Sequence, residues 1–361
     1  MLFFDKIFIR GQCIHCIVTH LFEWSCNMLY LILLLCLRSV LCVATGSPGL
    51  APAVRLNDGN LMPTFGLGTW LGVTPEGLLA EVQDDSIEKA VEDAIDVGYR
   101  HIDTAALYNT EPQVGRGIHK KIADGALTRE EIFVTTKLWN DQHAKEKVVP
   151  ALKHSLQQLN MSYVDLYLIH FPVGTISKFT PDLTDYLETW YGMIEAQKQG
   201  LTRSIGVSNF NQDMIERLVR ETSVVPAVLQ VEIHLNLQQP SLLEFCRQRG
   251  IAVMGYTPFG PLFPGKASPG APPPRVDDPA LVEMARKYKK TVPQVVLRYL
   301  YELGVVPIPK SVKRSRIQQN IEIFDFAIEE ADKRLLRSYD ANYRLTSMPF
   351  WKNHPYYPFH S

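Results

Sequence analysis

Eight short β-type runs alternate with amphipathic stretches through most of this sequence, and no other feature narrows the possible folds as far. The runs cover residues 64–67, 99–104, 132–137, 164–170, 204–207, 228–231, 252–256 and 305–308. Between them, residues 84–97, 145–159, 185–199, 212–221, 241–249 and 278–289 carry apolar residues at helical spacing. Ile87, Val91, Ala94 and Ile95, for instance, fall on one stripe of a 3.6-residue helix. The strand runs are nearly continuously apolar, which suits a parallel sheet covered on both faces. Eight such units predict an α/β fold, a closed (β/α)8 TIM barrel, rather than a doubly wound sheet. Asn57-Asp58-Gly59-Asn60 lies between the short runs 54–56 and 61–63 and predicts an N-terminal β-hairpin ahead of the barrel.

Three long connections interrupt the alternation, at 172–184, 259–279 and 342–361. Loops of that length in a compact domain are commonly functional, and here they are expected as lids on the C-terminal face of the barrel. The barrel domain is expected to span 45–361. Ahead of it, residues 29–37 form an apolar run followed by Arg38 and small residues ending at Ala44. This is the pattern of a signal peptide over 28–44, with translation from Met28 and residues 1–27 a dispensable upstream extension. A start at Met28 leaves no positive n-region, so an uncleaved anchor or a cytoplasmic chain stays as the alternative. The run is shorter than the about 20 apolar residues a membrane span needs. Export predicts a secreted protein in which Asn160-Met161-Ser162 is a glycosylation sequon.

Composition excludes some partners. With 361 residues, 46% of them hydrophobic, and a formal net charge of -1, the chain has no electrostatic footprint for nucleic acid. Five of the six cysteines precede residue 45, so the body, with Cys246 alone, cannot hold an internal disulfide. Cys246 reads as a small buried residue of a helix. No metal site is expected.

In a barrel the chemistry sits at the C-terminal strand ends. There this sequence places Asp103 with Tyr108 shortly beyond it, then Lys137, then His170. Each alone is explained as a capping acid, a snorkelling lysine or a satisfied core histidine. Four polar ends brought together by closure are harder to explain as packing. A glycine-rich dinucleotide loop is missing, because the glycines of Gly66-Leu67-Gly68-Thr69-Trp70-Leu71-Gly72 miss the required spacing by one residue.

Three motifs then carry a resemblance. Gly98-Tyr99-Arg100-His101-Ile102-Asp103-Thr104-Ala105 with Tyr108-Asn109 is similar to the first signature of the aldo-keto reductase family. Val164 to His170 with Ser204-Ile205-Gly206-Val207-Ser208-Asn209-Phe210 resembles the second, and Ile308-Pro309-Lys310-Ser311 the third. The resemblance runs from about Val54 to Ser361. It implies NADPH-dependent reduction of a carbonyl by a tetrad of Asp103, Tyr108, Lys137 and His170. Tyr108 would give the proton, Lys137 would lower the phenol pKa, Asp103 would hold Lys137 and His170 would orient the carbonyl oxygen. The steroid double-bond reductases of the family carry Glu in place of this His, so His170 favours carbonyl reduction.

The resemblance also implies the cofactor site. Tyr256 would stack on the nicotinamide, and Ser208, Asn209 and Gln230 would hold its carboxamide. Lys310 and Arg316 would grip the 2′-phosphate and Asn320 the adenine, with Thr69, Trp70, Asp103, Thr257 and Ser311 around them. Phe171 stands where the sugar-aldehyde reductases of the family have Trp. That points toward the hydroxysteroid-dehydrogenase branch and a bulky steroid-like ketone such as 3-dehydroecdysone. Trp70, Phe171, Trp190, Phe263, Phe350 and Trp351 are the expected substrate wall, together with Tyr108 and His170. The alternatives are a general aldehyde reductase and a non-catalytic binding protein on the same fold. Family members are commonly monomeric, and a monomer with a small-molecule carbonyl partner is expected.

Overall fold

The computed structural model describes residues 8–9, 12–13, 51–72, 84–177 and 180–359. The chain divides into two units, residues 1–47 and 48–361. In the first, Phe8–Ile9 pairs antiparallel with Gln12–Cys13. The apolar run at 29–37 and its cleavage site lie outside the described residues. No helix among the described residues is long and apolar enough to cross a membrane.

The second unit holds eight barrel strands: β1 (Leu67–Gly68), β2 (His101–Asp103), β3 (Phe133–Leu138), β4 (Val164–Ile169), β5 (Thr202–Ser208), β6 (Val228–Glu232), β7 (Ala252–Tyr256) and β8 (Val305–Pro307). They pair in sequential order, and every pairing is parallel. The first and last strands also meet. Gly66 N–H donates to the Pro307 carbonyl at 3.1 Å and Gly68 N–H to the Pro309 carbonyl at 3.2 Å, which closes the ring. A Cβ on Gly68 would stand 2.9 Å from the Ile308 carbonyl oxygen, so only glycine lets the seam close this tightly.

Strand parity divides the core. Leu166 and Leu168 of β4 point into the barrel with Phe133, Val228, Met254 and Val306. Tyr167 and Ile169 of the same strand point out toward the helices. The predicted hairpin is present, Ala53–Arg55 against Leu61–Pro63. Its Leu56 and Met62 join the inner cluster beside Phe133 and Val228, the first residues of their strands, and so plug the N-terminal end of the barrel.

The outer layer is α1 (Ser86–Asp96), α2 (Glu111–Ala123), α3 (Lys145–Leu159), α4 (Tyr186–Lys198), α5 (Gln212–Thr222), α6 (Pro240–Gln248), α7 (Pro279–Tyr288), α8 (Val292–Glu302), α9 (Arg314–Ile321) and α10 (Glu330–Ser338). Six of these fall where the apolar spacing predicts helices. The helix α2 does not, because Gly115 and Gly117 interrupt its stripe. A Cβ on Gly115 would lie 2.4 Å from the Leu159 carbonyl oxygen, so the residue that weakens the pattern is the one that lets α2 meet the end of α3.

The long connections differ in form. The first carries a small antiparallel arm, Gly174–Ser177 with Thr180–Asp182. The second is irregular but tied down, with Asn236 Nδ2 donating to the Pro273 carbonyl at 2.6 Å. The C-terminal stretch contains one short turn of helix, Pro349–Trp351. Cys246 is buried in α6, and burial pushes its thiol up to about 12, as a packing residue requires.

Candidate active site

The inward parity that buries Leu166 and Leu168 also delivers the polar strand ends. On β2 it runs His101 to Asp103, on β3 Phe133, Thr135 and Lys137, and one step past β4 it reaches His170. Lower in the barrel, His101 contacts Thr135 Oγ1 at 3.0 Å and meets the Phe133 ring edge-on. Above them sits the Lys137 ammonium, fully buried. It donates to Asp103 Oδ1 at 2.7 Å, to the Thr104 carbonyl at 2.8 Å and to the Tyr108 hydroxyl at 3.3 Å. Three N–H donors thus have three acceptors, which is how a buried lysine stays charged.

Asp103 is held from every side. Its Oδ2 accepts Gln230 Nε2 at 2.7 Å, and its carbonyl accepts both the N–H and the hydroxyl of Thr69. Tyr108 is delivered by a single turn, Ala106–Tyr108, which ends at Asn109 with φ +55°, a conformation asparagine tolerates. The Trp70 ring stacks over Tyr108 with centroids 6.2 Å apart, and His170 meets Tyr108 edge-on at 5.6 Å.

The electrostatics revise one expectation. Burial pushes the Tyr108 phenol well above its usual range, and Asp103 and Tyr256 push it further. The Lys137 ammonium, already paired with Asp103 at 2.7 Å, is outweighed by burial, because the phenol has lost its water. Burial likewise holds Lys137 below the usual lysine range, against Asp103. His170 is held well below the usual histidine range by burial and then by Lys137, so it is a neutral imidazole. The site therefore presents a protonated phenol and a neutral histidine. Both can donate a hydrogen bond to one oxygen.

Beside the tetrad lies a second network. Asn209, at φ +62°, donates from Nδ2 to the His170 carbonyl at 2.8 Å and to Ser208 Oγ at 3.1 Å, and its Oδ1 accepts the Tyr256 hydroxyl at 2.7 Å. Ser208, Asn209 and Tyr256 therefore act as one surface, with Thr257 next along the chain. Gln230 and Thr69 face inward as expected, and each gives a hydrogen bond to Asp103.

At the other end of the expected cofactor groove, Lys310 pairs with Gly68 across the barrel seam. Ser311 Oγ accepts the Lys313 N–H. Arg314 is bound to Asp93 at 2.5 Å. Arg316, two residues on in the first turn of α9, is exposed, and among the described residues it has no carboxylate partner. Asn320 lies one turn later on the same face and is buried. A helix N-terminus bearing an unengaged arginine has the chemistry of a phosphate site.

The expected substrate wall separates into two groups. Phe171 stacks on His170 at 5.6 Å and meets Trp351 edge-on at 5.2 Å, and the exposed Phe350 packs on Trp351 at 4.9 Å. Trp190 and Phe263 do not belong. Trp190 lies fully buried on α4 within the strand–helix core, and Phe263 packs on Phe259 against the same core. An aromatic run in a helix or loop carries no sign of which face turns to the ligand. In their place stands Trp139, with His170 at 5.2 Å, Phe171 at 6.5 Å and Trp351 at 6.3 Å. Its signal was in the sequence. It lies two residues after Lys137 and continues the inward parity of β3. A cavity of ≈ 710 Å³ lined by Asn211, Gln239, Leu242 and Arg344 contains none of the tetrad.

Comparison with known proteins agrees with this geometry. Residues 64–341 match the model of the Aldo/keto reductase family. The aldo-keto reductase AKR2E4 of Bombyx mori is 49% identical over 308 residues, 85% of this chain and 98% of that protein. Its crystal structure in complex with NADP superposes with a TM-score of 0.82, covering 86% of this chain and 99% of that one. A second crystal structure, of aldo-keto reductase AKR2E5 complexed with NADPH, is 41% identical with a TM-score of 0.83, over 86% of this chain and 94% of its own. Estradiol 17 beta-dehydrogenase 5 of Mus musculus is 38% identical over 319 residues, 85% of this chain and 97% of that protein. Tetrad, barrel and sequence agree, and the chain belongs to the aldo/keto reductase family.

Proposed function

We propose that this protein is an NADPH-dependent carbonyl reductase and that its substrate is a bulky, steroid-like ketone. The observation that carries the first part is the buried Lys137, placed between Asp103 at 2.7 Å and the Tyr108 hydroxyl at 3.3 Å, with neutral His170 beside the phenol. NADPH, when bound, supplies the hydride. The residues of the chain handle the oxygen. Tyr108 and His170 donate hydrogen bonds to the carbonyl oxygen and fix its direction. As charge grows on that oxygen, Tyr108 releases its proton to it. Lys137 then faces a phenolate, and the ammonium that does little to a neutral phenol stabilises the anion directly. Asp103 and Gln230 keep that ammonium in place.

The residues fit the cofactor. Ser208, Asn209, Gln230 and Tyr256 would hold the nicotinamide end, and Lys310, Arg316 and Asn320 the adenosine end with its 2′-phosphate. Arg316→Gln is expected to weaken NADPH binding by about tenfold, the loss of one charge-assisted contact. NADH binding is expected to change by less than about twofold. Titration of intrinsic tryptophan fluorescence with each cofactor reads both, and equal losses would show that Arg316 does not read the 2′-phosphate.

Support for the ketone comes from the aromatic wall and from the matched relative named as an estradiol dehydrogenase. Trp70, Trp139 and Trp351 form an apolar lining, and covering a flat ligand gains roughly 25 cal/mol per Å² of apolar surface. Phe171 and Trp351 are 3% and 6% exposed and pack edge-on in one cluster, so the size of Phe171 sets where the Trp351 ring stands. In Phe171→Trp the larger ring should push Trp351 toward the ligand. The variant is expected to lower kcat/KM for 3-dehydroecdysone and a 3-ketosteroid while sparing a short aldehyde. An aldehyde preferred over both steroids by the wild type would reject the steroid reading and leave a general aldehyde reductase.

A further inference from the structure

The C-terminal segment that carries Trp351 is tied to the barrel at one buried carboxylate. Glu232, the last residue of β6, has no exposed surface. Its Oε1 accepts the Leu345 N–H at 2.7 Å and its Oε2 the Thr346 N–H at 2.8 Å. Oε1 also lies 2.9 Å from His234 Nε2. His234 Nδ1 accepts the Asn236 N–H at 3.2 Å, so the imidazole proton sits on Nε2 and is donated to Glu232. Burial pushes the carboxyl up, but His234 and the two amides outweigh it and hold Glu232 below the usual range. Nearby, the Asn236 carbonyl accepts the N–H groups of Ala341 and Tyr343 at 3.2 and 2.9 Å. A few residues after Thr346 the chain reaches Pro349–Trp351, where the Trp351 ring packs on Phe171 and Trp139.

We infer that Glu232 is a positioning residue for substrate selection: by clamping Leu345 and Thr346 it sets where the Trp351 wall stands over the carbonyl site. The inference rests on the reductase reading above. The side-chain hydrogen bonds of Glu232 run to the tail and to His234, and its carbonyl accepts Gln239 Nε2 at 2.7 Å. None of these touches Asp103, Tyr108, Lys137 or His170. A freed clamp should therefore move the wall and spare the proton chemistry. Buried carboxylates that accept amide N–H groups hold a segment firmly, because an alternative position would leave the charge unpaired.

The test uses the full chain, Glu232→Gln, Glu232→Asp and Trp351→Ala. A glutamine keeps one accepting oxygen and turns an NH2 toward the other N–H donor, so the charge and at least one arm of the clamp are lost without a change in volume. Glu232→Gln is expected to raise KM for a 3-ketosteroid about tenfold, a size set by one lost charged contact. The kcat for a short aldehyde at saturating NADPH should fall less than about threefold. Trypsin should cut after Arg344 and Lys352 about tenfold faster, since cleavage follows the population of the opened segment. Glu232→Asp keeps the charge and should recover part of the KM. In the Trp351→Ala background, Glu232→Gln should add less than about twofold, because both act through one wall.

Equal losses for ketone and aldehyde, unchanged proteolysis, or full additivity with Trp351→Ala would overturn the inference. If Glu232→Gln does not fold, Thr346→Pro deletes one donor with the carboxylate intact and is read in the same way. A wild type that reduces neither carbonyl defeats the reductase reading, and the proteolysis rates still decide whether Glu232 anchors the tail.

Discussion

Tyr108→Phe is expected to lower kcat for carbonyl reduction by about 10²–10⁴-fold, the range for loss of a general acid. The substitution removes one oxygen and keeps the ring, so the stacking against Trp70 persists. Lys137 loses its longest contact and keeps the two shorter ones, to Asp103 and the Thr104 carbonyl. NADPH affinity should therefore be nearly unchanged, and fluorescence titration beside single-turnover kinetics separates binding from chemistry. A kcat within about threefold of wild type would remove Tyr108 from the mechanism. The wild-type pH dependence adds a check. Reduction needs the protonated phenol, and this phenol is raised above its usual value of about 10. The rate of the chemical step should then show no fall from Tyr108 ionisation below about pH 10. A lowered phenol pKa would show itself as a decline beginning near neutrality.

Lys137→Met is expected to cost both activity and stability. The ammonium is wholly buried with Asp103 beside it, so its removal leaves a buried carboxylate held by Gln230 alone among side chains. Breaking a buried pair from one side costs about 3–5 kcal/mol. Adding Asp103→Asn to Lys137→Met removes the orphaned charge and should restore most of the stability, since a pair replaced on both sides is often neutral. It should restore none of the turnover, because nothing then stabilises the phenolate. Denaturant melts of wild type, single and double variants read the first effect, and NADPH oxidation with a short aldehyde reads the second. A single variant as stable as wild type would mean that Asp103 does not depend on Lys137 for its charge.

These effects follow from features with different visibility. The eight runs, the turn at Asn57–Asn60 and the bounds of Lys145–Leu159 were legible because apolar period and turn chemistry are local. Asp103, Lys137 and His170 were legible because parity along a strand fixes which side chains share a face, and the barrel brings their ends together. Trp139 obeys the same parity and could have been read the same way. Cys246 was readable as core from its apolar helical neighbours.

Other assignments needed the folded chain. Trp190 and Trp351 are both buried aromatic residues of segments outside the strands, yet one packs in the strand–helix core on α4 and the other with Phe171 and Trp139 beside His170. The difference lies in helix orientation and in where a tail returns, and neither is encoded within a few residues. The glycines of α2 hid a helix, because what they serve is contact with a neighbouring helix. Gln230 and Thr69 turned to Asp103, and the phenol of Tyr108 rose instead of falling. Both outcomes depend on how much water closure removes and which charge is already paired. Glu232 reads as an ordinary strand-end acid until Leu345 and Thr346, more than a hundred residues away, bring their N–H groups to it. The local sequence determined the elements, their faces and the chemistry available. Burial and long-range closure decided which groups meet and in what state of charge, because solvation and pairing are properties of the assembled interior.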